Sequence, residues 1–438
     1  MARTRREFLA LAALAGVAPA LAACGSGVLP EPDVAAPGFG QDATGTLRLW
    51  TRSATQNGMR VVVDAFHASQ DRIRVELTPV PDPQYVTKLA TAIRARAVPD
   101  LVDIDDINAM LFIYRDAFTD LTDLIAALPY VDQLSPGHLA LGTVEDRRYA
   151  APFLADNSVL WYNTELLERA GVDPATGLTT LEGCVDAARA VGELGGGVSG
   201  WSLAANSPGI IGFVVQPHLW ATGARNLSGE VGQQTGDIAG NTELEAVLQA
   251  YRSLWSEDLM PVANFTDTGS TWGADFRAGT VGLFPSSYGA VVPAADAAAV
   301  ARTGNTLLPG PGGGTAFFDG GDNLCIPRGA ANASAAWEFT TFALELEQQR
   351  TLPQGGYIPV RSDAADDAFR AEFPLAVPTL EAIEVGYAPT TLAYNLLFNQ
   401  PNSPHFELFR RAVFDGEVEA AMAAAQTAFD RVLEQAQR

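Results

Sequence analysis

Lysine is almost missing from this chain. Among 438 residues Lys88 is the only one, and arginine supplies every other fixed cation. A phosphate-cradling loop needs Gly-Lys followed by Ser or Thr, and the glycine run at 312–314 has no lysine after it. Schiff-base chemistry and Ser-x-x-Lys hydrolysis need a lysine too, and Lys88 stands in neither context. Histidine is nearly as scarce. His67, His138, His218 and His405 are scattered without metal-ligand spacing, so each reads as a surface or internally satisfied group. With no Gly-x-Ser-x-Gly elbow either, an ATPase, a zinc hydrolase and a serine esterase find no support, and no cofactor or metal is expected. Positive charge is also short, with 28 basic residues against 51 acidic ones and a net charge of −23. Nucleic-acid affinity comes largely from basic groups displacing phosphate counterions, which excludes that partner.

What is present is an ordinary globular composition, 47% hydrophobic, 18% charged and 9% aromatic, which rules out a disordered or fibrous chain. The length suits two large domains or about three smaller ones. Chains of this size bury roughly three quarters of their unfolded surface, so no metal or disulfide is needed to hold a core.

The first residues read as an address. Arg3, Arg5 and Arg6 precede an uncharged run from Phe8 to Ala22, shorter than the roughly 20 residues of a membrane-spanning helix. A basic start, an apolar middle and small residues before a cut site describe an export signal over residues 1–23. Thr4-Arg5-Arg6-Glu7-Phe8-Leu9 resembles the twin-arginine signal, whose pathway carries folded proteins. Leu21-Ala22-Ala23-Cys24 looks like a bacterial lipobox, which makes Cys24 the lipid-bearing first residue of the exported chain. Each acyl CH₂ buried in lipid contributes roughly 0.8 kcal/mol, so several chains at Cys24 would anchor the protein firmly. Residues 24–45, rich in Gly, Pro and Ala, then read as a tether reaching about 25 Å from the outer face of the membrane. Cys184 and Cys325 could pair in an exported protein, but both lie in apolar segments and read as buried thiols.

Periodicity organises the rest. Leu47 and Leu49 mark a strand ending at Trp50-Thr51-Arg52, and Met59, Val62, Val63 and Phe66 recur at helical spacing. Ile73, Val75 and Leu77 alternate in a second strand closed by Pro79 and Pro81. Tyr85, Val86, Leu89 and Ile93 give a second helix, and Leu101–Ile104 a third strand. Right-handed crossovers turn this β-α-β-α-β order into a parallel sheet, whose ligands bind beyond the carboxyl ends of its strands. Those ends carry Trp50, Arg52, Asp105 and Asp106. Further on, Val159–Tyr162 is strand-like. Thr179 with Glu182, and Thr242 with Glu245, have the spacing of capping boxes that open two amphipathic helices. Trp201, Trp220 and Trp272 fall between these elements, in expected loops, and Val418, Met422, Ala425, Phe429 and Leu433 mark a long closing helix.

The order of short segments carries a family resemblance. Thr46-Leu47-Arg48-Leu49-Trp50, Tyr85-Val86-Thr87-Lys88-Leu89, Val98-Pro99-Asp100-Leu101-Val102 and Arg148-Tyr149-Ala150-Ala151-Pro152 come first. Leu160-Trp161-Tyr162-Asn163, Phe276-Arg277-Ala278-Gly279, Ala336-Trp337-Glu338-Phe339 and Tyr357-Ile358-Pro359-Val360-Arg361 follow. Together they resemble the extracellular sugar-binding proteins of ABC importers, the broad group that contains maltose-binding protein. The resemblance implies an α/β periplasmic-binding-protein-like fold of two lobes, 46–153 with 319–365 and 154–318 with 366–438. Hinge crossings would lie near 153–158, 316–321 and 365–372. It implies a monomeric receptor, without chemistry of its own, that passes a sugar to membrane permease subunits.

By position, the resemblance places Asp156 and Asn157 in the first crossing, and Gly321, Asp322 and Asn323 after the second. Arg361 closes the Ile-Pro-Val-Arg segment. Ser287 and Tyr288 fall where the family often carries a stacking Trp, so Ser286-Ser287-Tyr288 is a departure that leaves the sugar open. A sugar presents hydroxyl edges and an apolar C–H face, and calls for flat rings plus Asp, Asn or Arg side chains. Trp50 could stack or belong to the core, and Asp105 and Asp106 could bind or cap the next helix. Trp220 and Trp272 are candidate stacking rings, whereas Trp255 and Trp337 sit on helix faces and read as core. Arg52 and Arg361 could pair with carboxylates or grip a phosphate ester, which keeps a charged ligand open as an alternative. A glycosidase would need two carboxyl groups roughly 5–9.5 Å apart, which the diverging neighbours Asp105 and Asp106 do not supply.

Overall fold

Two sheets built from strands far apart in sequence form the frame. The computed structural model describes residues 29–293 and 295–437; the expected export signal and Cys24 lie outside them. In the first sheet β1 (Gly45–Arg52) pairs in parallel with β2 (Ile73–Val80) and β3 (Leu101–Asp105). The helices α1 (Gln56–Ser69) and α2 (Asp82–Ala95) make the crossovers, and α3 (Asp106–Ile113) follows β3. The α1 residues Met59, Val62, Val63 and Phe66 are buried as their spacing predicts, and Phe66 meets Phe339 edge-on at 5.2 Å. β2 continues through Pro79 to Val80 instead of stopping before it. It is the edge strand, where a missing N–H costs no ladder bond.

The strand Gly321–Cys325 returns from the far end of the chain to pair antiparallel with β3 and with the strand Ala151–Ala155. In the second sheet Ser158–Asn163 lies between Val281–Ser287 and Thr315–Phe318. The chain therefore passes from one sheet to the other at 156–157 and back at 319–320, and these passages touch where the Asp156 amide donates to the Gly320 carbonyl at 2.7 Å. After Arg361, short helices at Asp367–Glu372 and Val377–Glu381 lead to Gly386–Tyr387, which joins the second sheet beside Thr315–Phe318. Gly321 must be glycine. A Cβ there would stand 2.1 Å from the Leu154 carbonyl oxygen and 2.7 Å from His138 Nε2.

Several local expectations shift. The helix Leu181–Gly192 is capped by Thr180, whose hydroxyl accepts from the Gly183 amide, and Thr242–Ser256 by Asn241, which accepts from Leu244. Each cap is one residue from the expected Thr, because the side chain that reaches the third amide onward takes the role. Trp201 is not in a loop; it ends the strand Ser199–Trp201 fully buried against Tyr251. Cys184 and Cys325 are buried and unpaired.

The described part of the expected tether, from residue 29 onward, is not a free spacer. Leu29 is buried, the Pro30 carbonyl accepts from the Gly329 amide at 2.8 Å, and Glu31 pairs with Arg328 at 2.9 Å. Farther along, Gly40 donates to Ser334 Oγ at 2.6 Å and Ala43 to Glu338 Oε2 at 2.9 Å. Prolines stiffen this segment, but its backbone and side chains find specific partners at residues 328–338. Among the described residues no helix is long and apolar enough to cross a membrane.

Candidate functional site

β1 and β3 run parallel, so their last residues share one sheet edge, and the antiparallel strand Gly321–Cys325 begins at that same edge. Arg52, Asp105 and Asp322 meet there, with Asp322 opposite Asp105 in register. Arg52 donates from Nε to Asp322 at 3.1 Å and from Nη1 to Asp105 at 2.8 Å and Asp82 at 3.3 Å. Its Nη2 stands 2.6 Å from the other Asp322 oxygen. Behind them Thr55 donates to Asp322 at 2.7 Å, and the Thr51 hydroxyl donates to Asp103. Burial lifts the Asp105 carboxyl to about 6; Arg52 opposes the rise, while Asp322 and Asp82 reinforce it. Burial and the facing Asp322 carboxylate push Asp103 well above the usual carboxylate range.

A second buried cluster sits at the return crossing. His138 lies with Nδ1 3.3 Å from Asp319 and Nε2 3.6 Å from Asp106, and Ser135 Oγ donates to Asp319 at 2.6 Å. Burial alone would hold the imidazole down; Asp319 and Asp106 outweigh it and lift His138 to about 9, so it is an imidazolium at neutral pH.

Two compartments flank Arg52. One, of about 210 Å³, is lined by Arg52, Asp105, Asp156, Ser158 and Ser287 together with Trp272, Phe213 and Phe318. The other, of about 390 Å³, shares Arg52, Asp105 and Phe213 and adds Asp82, Asn108, Asn395 and Asn399. Phe213 and Phe318 meet edge-on at 4.9 Å, and Trp272 leans edge-on against Phe284 at 5.9 Å. Rings and hydrogen-bonding side chains thus share one hollow bounded by both sheets; its second compartment falls within the roughly 300–1,000 Å³ of small-ligand sites and its first just below it.

Of the residues singled out from sequence, Arg52, Asp105, Asp156, Trp272, Ser287 and Gly321 line the first compartment. Asp322 stands behind it as a partner of Arg52, and Asp106 faces His138. Asn157 is buried, and the buried Asn323 side chain donates to the His138 carbonyl at 3.1 Å.

Four lie elsewhere, each for a local reason. Trp50 lies in a groove along α2 with the Lys88 ammonium 4.5 Å from its ring centre. Trp220 is the last residue of the helix Pro208–Trp220, not of a loop, and packs on Phe318 and Tyr387. Tyr288 opens a single helical turn after the strand, so its ring turns inward onto Trp161 at 6.3 Å while Ser287 faces the hollow. Arg361 pairs with Asp363 at 2.6 Å and stacks over Tyr130 at 4.0 Å, outside both compartments. Phe213, Phe318 and the paired asparagines 395 and 399 were not legible beforehand; no motif marks them, and only the approach of distant segments brings them to the hollow.

Residues 62–377 match the family described as bacterial extracellular solute-binding protein, and the chain belongs to that family. The fold is that of a two-lobe solute-binding protein, and three solved structures illustrate it. The sugar-binding protein MalE of Xanthomonas citri superposes with a TM-score of 0.77 at 20% identity, covering 89% of this chain and 98% of that one. UgpB of Mycobacterium tuberculosis, in complex with glycerophosphocholine, gives 0.70 at 21% identity over 90% and 99%. A solute-binding protein of Agrobacterium radiobacter in complex with ribitol gives 0.70 at 20% identity over 89% and 99%. No curated protein matches in sequence.

Proposed function

We propose that this protein captures a carbohydrate, a mono- or oligosaccharide, in the hollow between its lobes, closes over it by hinge rotation and hands it to an ABC importer permease. The carrying observation is the co-lining of one compartment by Trp272, Phe213 and Phe318 with Asp105, Asp156, Ser158 and Ser287. Rings cover the C–H faces of a sugar, and the carboxylates and hydroxyls meet its hydroxyl edges. Polar groups left unmatched in a closed cleft cost roughly 1–3 kcal/mol each, which makes the site selective. A polyol offers the same hydroxyl edges, and the ribitol complex of a similarly folded protein supports that neighbouring reading. A phosphate ester has less support, because Arg52 is held by carboxylates and Arg361 lies outside the hollow. Binding and release need no chemical step from the protein.

A thermal-shift panel of sugars and polyols tests this reading. A ligand at 100 times its dissociation constant adds roughly 2.7 kcal/mol of stability, a readily measured rise in Tm. Trp272→Ala removes a ring from the cavity wall and is expected to weaken the responding ligand roughly 10- to 100-fold. A panel without any rise, or a Trp272→Ala protein with unchanged affinity, contradicts the proposal.

We further infer that the mature protein acts as a monomer held at the outer face of the cytoplasmic membrane by lipid on Cys24. Membrane and medium fractions check this. Cys24→Ala is expected to shift the protein out of the membrane fraction, and an unchanged distribution refutes the anchor.

A further inference from the structure

The hollow is short of positive charge. Arg52 is the one cation lining either compartment among the described residues. All three of its nitrogens are already engaged: Nε and Nη2 with Asp322, and Nη1 with Asp105 and Asp82. One guanidinium therefore faces three carboxylates. Asp156, in the crossing between the sheets, adds a fourth acid to the lining; the Ser287 hydroxyl interacts with its carboxyl, and its Oδ1 is buried without a hydrogen-bond partner in the protein. The other nearby cations are committed elsewhere. Lys88 lies over Trp50 in the outer groove, His138 stands between Asp319 and Asp106, and Arg361 is paired with Asp363.

We propose, building on the carbohydrate reading above, that the ligand carries a protonated amine: an amino sugar or amino-alditol whose ammonium lies against Asp105 and Asp156. An ammonium has three donors and no acceptor, so it complements carboxylate oxygens, which only accept. The rings of Trp272, Phe213 and Phe318 suit the same guest, because a cation is drawn to an aromatic face while the C–H face of the sugar packs on it. A neutral sugar leaves the surplus negative charge uncompensated. A phosphate ester adds to that surplus, and like charge in a cleft that excludes water is penalised more than in bulk solvent.

Matched pairs measured by isothermal titration test the charge separately from the hydroxyls. The probes are 1-amino-1-deoxy-D-sorbitol against D-sorbitol, D-glucosamine against D-glucose, and D-glucose 6-phosphate. The amine of at least one pair is expected to bind about tenfold or more tightly than its neutral twin, with the phosphate weakest. Asp156→Asn and Asp105→Asn should each weaken the amine more than its neutral twin, removing most of that preference. The pairwise comparison on the unaltered protein needs no variant, and added salt should weaken the amine selectively. A neutral twin that binds as tightly as its amine overturns the inference and leaves the sugar-binding reading standing. So does a carboxylate variant that weakens both members alike. Failure of every probe to bind counts against both.

Discussion

Replacing Arg52 by alanine is expected to cost about 3–5 kcal/mol of folding stability at neutral pH, because removing one partner of a buried charge cluster leaves the others uncompensated. Arg52 is the shared partner of Asp322, Asp105 and Asp82, and the Asp322 side chain is fully buried. The pH dependence distinguishes lost charge from lost packing. Asp105 already titrates near 6 because burial disfavours its charged form, and Arg52 is what restrains the rise. Without Arg52 the folded state holds its carboxyl protons to still higher pH than the unfolded chain does. Stability then falls as pH rises through that window, by the linkage relation, and recovers on acidification. Urea unfolding of Arg52→Ala at pH 7.5 and 5.5 should show the deficit shrinking at the lower pH. Adding Asp105→Asn to the variant should return part of it at pH 7.5. A deficit below about 1 kcal/mol, or one independent of pH, means that the carboxylates at this sheet edge are not ionised together.

The second large effect belongs to His138, and it has the opposite relation to pH from an ordinary buried histidine. Its pKa is raised from 6.5 to about 9 by Asp319 and Asp106 against the effect of burial. A group with a raised folded-state pKa contributes stability that is complete below its unfolded value and lost as pH rises through the folded one. The protein should therefore lose stability between pH 6.5 and about 9, by about 3 kcal/mol at one pKa unit per 1.36 kcal/mol. His138→Gln, which cannot carry the charge, should flatten this limb. His218 and His405 work the other way. Burial holds both down to about 4, so they contribute stability that is lost as pH falls from 6.5 towards 4. A wild-type profile that parallels His138→Gln from pH 6.5 to 9.5 would falsify the imidazolium assignment. Asp319 belongs to the return crossing between the sheets, so deprotonating His138 removes an ion pair held by that crossing.

Much of the frame is legible in the sequence, because periodicity reports burial directly. The alternation of Leu47 and Leu49 and the helical spacing of Met59, Val62, Val63 and Phe66 place these side chains in the core whatever the rest of the chain does. Strand ends follow from the same patterns, which is why Arg52 and Asp105 could be assigned to one sheet edge. The crossings at 156–157 and 319–320 are bracketed by the ordered family-like segments on either side.

Partnership was not readable, because it depends on which distant segments fold together. The Arg52–Asp322 contact joins residues 270 apart, and that pairing turned a candidate phosphate grip into a saturated guanidinium. The orientation of a ring at an element boundary was equally hidden. Tyr288 and Trp220 turn into the core through where a helical turn begins or ends, whereas Trp272, in a turn, lines the hollow. Sequence alone thus determined most of the elements and the family, since each is written in local pattern and order. Tertiary structure decided which charges cancel and which rings meet the ligand, since both depend on distances of a few ångströms that only the closed chain defines.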